Sequence, residues 1–214
     1  MKWLIGFGLL MMSFSTYAAE LPKSLPLALQ QGLERLAKMD GFSCRFEQSI
    51  TYGDGSEQLY SGTLAVAKQG RFRWQYIKPY DQLYVSKGDG IWLYEPDLMQ
   101  AQWLDSLDAV DPIAMRLLEG RVKPSEITVL DIDRDVYHVR IAGDSNANNG
   151  TELWLMLRHD GMPAWFESHD SLGNRNRMNL LAVKVSQPDL KQFEFTVPEG
   201  VDVMDANGLM MGSE

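Results

Sequence analysis

The sequence predicts a mainly β chain with a few helices, laid out as an antiparallel meander rather than as βαβ units. Three observations predict this. From residue 42 onward, apolar side chains alternate with polar ones in run after run. Turn chemistry such as Asp54-Gly55, Asp89-Gly90, Asn149-Gly150 and Asp160-Gly161 separates many of these runs at hairpin spacing. Helical spacing is confined to two stretches, too few to supply the crossovers of a parallel sheet. A chain of 214 residues, 45% hydrophobic and 23% charged, is ordinary globular composition and long enough to enclose a core without disulfides.

The elements follow in order. Lys2 precedes an apolar run over residues 3–14, too short for the ~20 residues that span a bilayer, and small residues then offer cleavage after Ala18 or Ala19. Residues 1–19 are therefore read as a cleaved secretory signal peptide, and 20–214 as one exported, soluble domain. In residues 24–39, Leu25, Leu29, Leu33, Leu36 and Ala37 share one helical face, with Ser24 as N-cap, Pro26 in the first turn and Gly41 as the stop. Phe42, Cys44, Phe46, Gln48 and Ile50 then alternate along a strand, as do Phe72, Trp74 and Tyr76. Further strands are expected at 59–67, 83–86, 91–94, 101–104, 127–132, 136–142, 153–158, 164–169 and 175–185, about ten or eleven in all. One short helix interrupts them, with Asp111 as N-cap, Pro112 at its first position and Gly120 ending it. The polar run 143–150 reads as a loop, and the tail after Met204 as frayed.

Composition excludes several classes of function. With 29 acidic against 20 basic residues, the net charge of −9 argues against nucleic acid and against docking by charge to anionic lipid. The single Cys44 makes neither an internal disulfide nor a cysteine zinc site, and His138, His159 and His169 share no ligand spacing. Asp131-x-Asp133-x-Asp135 begins like a calcium loop, but Val136 stands where glycine is needed and Ala142 where a bidentate glutamate is needed. Cys44 sits among apolar residues, as a buried thiol does. His169, Asp170 and Ser171 are consecutive, whereas a triad is assembled by geometry rather than adjacency. No enzyme and no cofactor is expected. What remains is a large apolar complement, including Trp74, Trp92, Trp103, Trp154 and Trp165. Such side chains either fill a sandwich or barrel core or line a pocket for an apolar ligand, and periodicity does not separate the two.

Several short motifs occur in a fixed order: Phe42-x-x-x-Phe46-x-Gln48, Gly62-x-Leu64, Arg71-Phe72-Arg73-Trp74, Pro79-Tyr80 and Val85-Ser86. The run from Ile91 to Leu98 with Gln100, the Asp-Pro helix, Asp170-Ser171-x-Gly173-Asn174, and Phe193-x-Phe195-Thr196-x-Pro198 complete the series. In these residues, over roughly 30–204, the chain resembles the outer-membrane lipoprotein carrier protein family, the periplasmic LolA chaperones. The resemblance implies an incomplete, strongly curved antiparallel β-barrel with helices as a lid over an apolar cavity. It implies acylated lipoproteins as cargo, an inner-membrane ABC transporter of the Lol system as donor and the outer-membrane acceptor LolB, with the carrier working in the periplasm. The sequence shows no long exposed heptads or evident dimer surface, so a monomer is expected.

By position, Phe72 and Phe166 match aromatic residues that line the family's cavity or face its lid, and Phe42, Phe46, Trp74 and Trp92 are expected to join them. Leu29 and Leu33, with Leu36, on the first helix and Ile113, Met115 and Leu117 on the second are the lid candidates. Arg116 is expected to snorkel to water. Lys68-Gln69 stands where the family has an Arg-Pro pair whose arginine fastens the lid. Lysine lacks the planar fork of guanidinium donors, so a looser fastening is expected there.

Overall fold

The computed structural model describes residues 24–105, 112–142, 151–170 and 172–205. The expected signal peptide, Asp111, the 143–150 loop with Asn149-Gly150, Ser171 and the tail beyond 205 lie outside the described residues.

A helix, α1 (Leu27–Lys38), leads into a run of strands: β1 (Gly41–Thr51), β2 (Glu57–Ala67), β3 (Arg71–Lys78), β4 (Gln82–Lys87), β5 (Ile91–Glu95) and β6 (Gln100–Leu104). After α2 (Pro112–Leu118) come β7 (Ile127–Asp133), β8 (Val136–Ile141), β9 (Thr151–Leu157), β10 (Pro163–His169), β11 (Arg175–Val185) and the short β12 (Asp202–Met204). All twelve strands form one sheet in the order β12-β6-β5-β4-β3-β2-β1-β11-β10-β9-β8-β7. Two meanders, one on each side of α2, are joined by pairing of β1 with β11. β7 and β12 end the sheet without pairing to each other, so the barrel is curved but open.

The curvature has local causes. The register slips between Ser43 and Arg45, Ser61 and Gly62, Val129 and Asp131, and Pro163 and Trp165, and each slip coils its strand more strongly. Gly62 lets β3 come close: a Cβ there would stand 1.9 Å from the Gln75 carbonyl oxygen and 2.8 Å from the Phe46 ring.

Two sequence readings of α1 need correction. Pro26, not Ser24, occupies the N-cap position; its ψ of 139 is extended, which places it before the first turn rather than in it. The helix ends because Met39 turns extended, while Gly41 opens β1, where a Cβ would meet the Val66 carbonyl oxygen at 2.3 Å. After β11 the chain crosses the outer face of the sheet. A 3-10 turn at Leu190–Phe193 seats Phe193 on Ala65 and Ala67, and Phe195 packs against Trp92 and Tyr94 before β12 adds parallel to β6.

Candidate functional site

Strand register decides which side chains share the inner face. Phe42, Val66 and Phe72 stand in one cross-strand row, and Cys44, Leu64 and Trp74 in the next. On the other side of β1, Gln48, Met178, Phe166, Leu155 and Tyr137 form a row running to β8. These rows close into a single buried apolar cluster, to which α1 contributes Leu29, Leu33 and Leu36 and α2 contributes Ile113, Met115 and Leu117. The structure therefore brings Leu29, Leu33, Phe42, Phe46, Phe72, Trp74, Ile113, Met115, Leu117 and Phe166 together, none more than 7% exposed. Both helices lie over the inner face with their apolar sides inward, so the interior is occupied by the chain's own side chains.

Trp92 departs from that set. It pairs across strands with Val85 and Trp103 on the outer face, and Phe195 of the crossing segment covers it at 5.9 Å. Its neighbour Ile91 faces inward instead. The run Ile91-Trp92-Leu93-Tyr94 is apolar throughout, so alternation gave no side to either residue. Sequence reasoning also left out the aliphatic wall from Val129, Val139, Ile141, Leu153 and Met178, whose inward positions were visible as alternation in β7 to β11.

The two helices are fastened differently. α1 packs closely through glycine: a Cβ on Gly32 would stand 2.8 Å from the Gly161 carbonyl oxygen in the β9–β10 turn. The ion pairs that link this segment to the sheet's turns are exposed and long, Arg35 to Asp160 at 3.9 Å and, just past the helix end, Lys68 to Asp40 at 4.0 Å. Exposed pairs of this kind contribute only ~0–1 kcal/mol. Lys68 thus pairs with the second residue past the helix, from a hairpin turn in which Gln69 and Gly70 both have positive φ, 68 and 71. Proline is locked near a φ of about −65°, so a proline after residue 68 is incompatible with this turn. Beside α1, a pocket of about 700 Å³ lies between Gln31 and Arg35 of the helix and Tyr137 and Leu157 of the sheet. Tyr137 also belongs to the interior cluster, so this pocket borders the interior.

α2 carries a buried tie instead. Arg116 does not reach water: it is 6% exposed, donates to the Ala142 carbonyl at 2.9 Å and pairs with Glu126 at 3.1 Å. The rim just before β7 and just after β8 offers these two acceptors, and burial between them overrides the snorkelling expected from sequence. Just past the same end of α2, Gly120 has a φ of 68, and a Cβ there would meet the Leu36 carbonyl oxygen of α1 at 2.4 Å.

Few polar groups face inward. Gln48 donates to Asn176 at 2.8 Å and accepts from the Tyr76 hydroxyl at 2.9 Å, and the Tyr76 ring packs edge-on against Phe46 and Tyr60. The buried Trp74 Nε1 has no hydrogen-bond partner among the described residues. Glu119 is 9% exposed; Arg121 binds one of its carboxylate oxygens while the other has no partner. Burial pushes the Glu119 carboxyl above its ordinary range, with Arg121 acting in the opposite direction. Burial likewise pushes the Cys44 thiol up to about 12, against a smaller lowering by Arg158, so the thiolate needed for nucleophilic attack is scarce at neutral pH. Asp131 and Asp133 lie along β7, and among the described residues no group of metal-ligating side chains is arranged to hold an ion.

Fold and interior together define one class of protein: an open antiparallel half-barrel, roofed by two helices, around a largely apolar centre. The comparisons with known proteins are specific about which. The profile of "Outer membrane lipoprotein carrier protein LolA" matches residues 37–196, and the chain belongs to that family. The outer-membrane lipoprotein carrier protein of Bordetella pertussis is 32% identical over 173 residues, covering 79% of this chain and 82% of its own. That of Azotobacter vinelandii is 30% identical over 209 residues, covering 92% of this chain and 98% of its own. A solved LolA superfamily protein from Nitrosomonas europaea superposes with a TM-score of 0.49 at 14% identity, covering 78% of this chain and 96% of that one.

Proposed function

We propose that this chain is a periplasmic carrier that takes up the acyl anchors of lipoproteins and hands them to the outer membrane. The observation that carries this reading is the continuous apolar interior beneath two helices, in a chain of the LolA family. An acyl anchor in water exposes dozens of methylenes at ~0.8 kcal/mol each, which forbids unassisted crossing. An apolar interior removes that penalty, and so does a bilayer. Transfer into the carrier is then close to neutral, and direction comes from the partners: ATP hydrolysis by an inner-membrane transporter of the Lol system upstream, and the tighter acceptor LolB downstream.

The occupied interior fits this task. Lifting α1 would expose Leu29, Leu33 and Leu36, at about 1.5–3 kcal/mol each. Cargo chains entering the same space restore most of that burial, so the helix and the cargo compete for one surface. The empty carrier hides its adhesive face, and a modest change in affinity is enough to move cargo on. α1, with its weak ion pairs and the pocket beside it, is the natural moving part. Phe72, Trp74 and Phe166 would remain as fixed wall.

The test is release. The chain beginning at Glu20 is added to spheroplasts of a Gram-negative host carrying the matching transporter, and the supernatant is probed for outer-membrane lipoproteins. Soluble one-to-one complexes that require both the chain and ATP are expected. Absence of release by folded protein would overturn the reading. Retention of apolar-dye binding in that case would turn it toward carriage of another amphiphile.

A further inference from the structure

The outer face of the sheet carries a second pocket, of about 340 Å³, across β11, β1, β2 and β3. Its layout follows from register. Lys184, Ser43, Ala65 and Arg73 stand in one cross-strand row, so two cations flank two small side chains. In the adjoining row Arg45 pairs with Thr63. Gln192, from the segment that crosses the outer face, completes the wall. Small residues thus make the floor, and long cationic ones make the rim.

Three cations share this pocket without a counter-charge. The chain has an acidic excess, and several arginines elsewhere lie against carboxylates: Arg116 with Glu126, Arg140 with Glu152, Arg177 with Glu167. In this pocket Arg45, Arg73 and Lys184 come together, no carboxylate is among the lining residues, and none of the three has an ion pair among the described residues. Arg73 is the sharpest case. It is half-buried, burial lowers its pKa, and its one hydrogen bond is a long one, 3.5 Å to the Gln192 carbonyl. A desolvated, unpaired guanidinium works against folding unless something else compensates it.

We propose that this outer pocket binds a phosphate group. Two guanidinium groups and an ammonium suit a tetrahedral oxyanion, because the planar fork donates to two oxygens at once and the ammonium adds a compact charge. The Ser43 and Thr63 hydroxyls line the same space and can donate to the remaining oxygens. The phosphate is either free or the phosphodiester of a lipid headgroup. The site lies on the face opposite the apolar interior and does not depend on what the interior carries.

The experiment is thermal unfolding of the purified protein in inorganic phosphate against sodium chloride at matched ionic strength. Wild type, Arg73→Gln, and Arg45→Gln combined with Lys184→Gln are compared. At phosphate a hundredfold above its Kd, the wild-type Tm is expected to rise by about 5–10 °C. Both variants are expected to lose that rise, and Arg73→Gln to start from a higher Tm in phosphate-free buffer because an unpaired charge is gone. Glycerophosphoglycerol, a headgroup without acyl chains, is the second probe. A rise with inorganic phosphate assigns the free anion, and a rise with the headgroup alone assigns a lipid source. No rise with either, or a rise that both variants retain, overturns the proposal.

Discussion

Arg116→Ala is the substitution whose outcome bears most directly on how the interior is roofed. The guanidinium side chain is 7% exposed and ties α2 to the rim through Glu126 and the Ala142 carbonyl. Removing one partner of a buried ion pair costs ~3–5 kcal/mol, because the other charge stays behind without compensation. Here Glu126 keeps the Lys123 backbone N–H at 2.9 Å, and its side chain is 27% exposed to water, so the lower end applies. The expected loss is about 3 kcal/mol, a fall in Tm of roughly 6–12 °C for a domain of this size. Hydrogen exchange should rise in α2 before it rises in the central strands. The double variant Arg116→Met with Glu126→Leu should recover most of the loss, since an apolar pair of similar volume replaces a buried ion pair at little cost. A Tm unchanged in Arg116→Ala, or a double variant as unstable as the two single changes added together, would refute the reasoning.

Other expectations follow from the same geometry. Glu119 lies at the C-terminal end of α2, where a negative charge also opposes the helix dipole. Its folded pKa is raised, so its penalty is absent in acid and grows as pH rises through the ordinary value of 4.5 and the raised one. Glu119→Gln should therefore stabilise the fold at pH 7 by about 1 kcal/mol, and the gain should vanish in acid; denaturant midpoints across pH check this. Phe166→Glu places an unpaired carboxylate between Leu155 and Met178 and should abolish lipoprotein release while Phe166→Leu retains it; normal release by a folded Phe166→Glu protein contradicts the placement of cargo. Gly120→Ala must fit a Cβ against the Leu36 carbonyl at a positive φ, and a loss of about 2 kcal/mol with faster exchange in α1 is expected. Lys68→Ala removes only a 4.0 Å exposed pair, so denaturant unfolding should move by less than about 0.5 kcal/mol; a larger loss would show Lys68 to be a true lid fastener.

Much of this architecture was legible because each strand has one wet face and one dry face. Short apolar runs, most of them alternating, located every strand but β12, and the resemblance of ordered motifs implied an incomplete barrel, which the open sheet and the family match bear out. β12 has three residues and no alternation of its own; it exists because the crossing segment returns to the edge of β6. α1 was visible in its leucine spacing, but its first turn was not, since Pro26 suits either the position before a helix or the first inside it. The interior was read least evenly. Phe42, Phe46, Phe72 and Trp74 lie on strands whose polar partners give the side away, whereas Trp92 lies in a run without polar partners. Arg116 was misread because a single charge on an apolar helix suggests an escape to water, and the acceptors that hold it are ten and twenty-six residues further along the chain.

The unpaired ends of the sheet have a mechanical consequence. In a closed barrel the circumference is fixed by strand number and stagger, so a wider guest can enter only if a ladder of hydrogen bonds breaks. A sheet with free margins can unroll slightly, each neighbouring pair of strands taking a small share of the change in twist, and every backbone bond survives. Girth becomes adjustable, like that of a split ring. The hazard of free margins is adhesion to other sheets, and both margins are guarded: β12 offers only three residues, and β7 sets the exposed Asp131 and Asp133 along its rim.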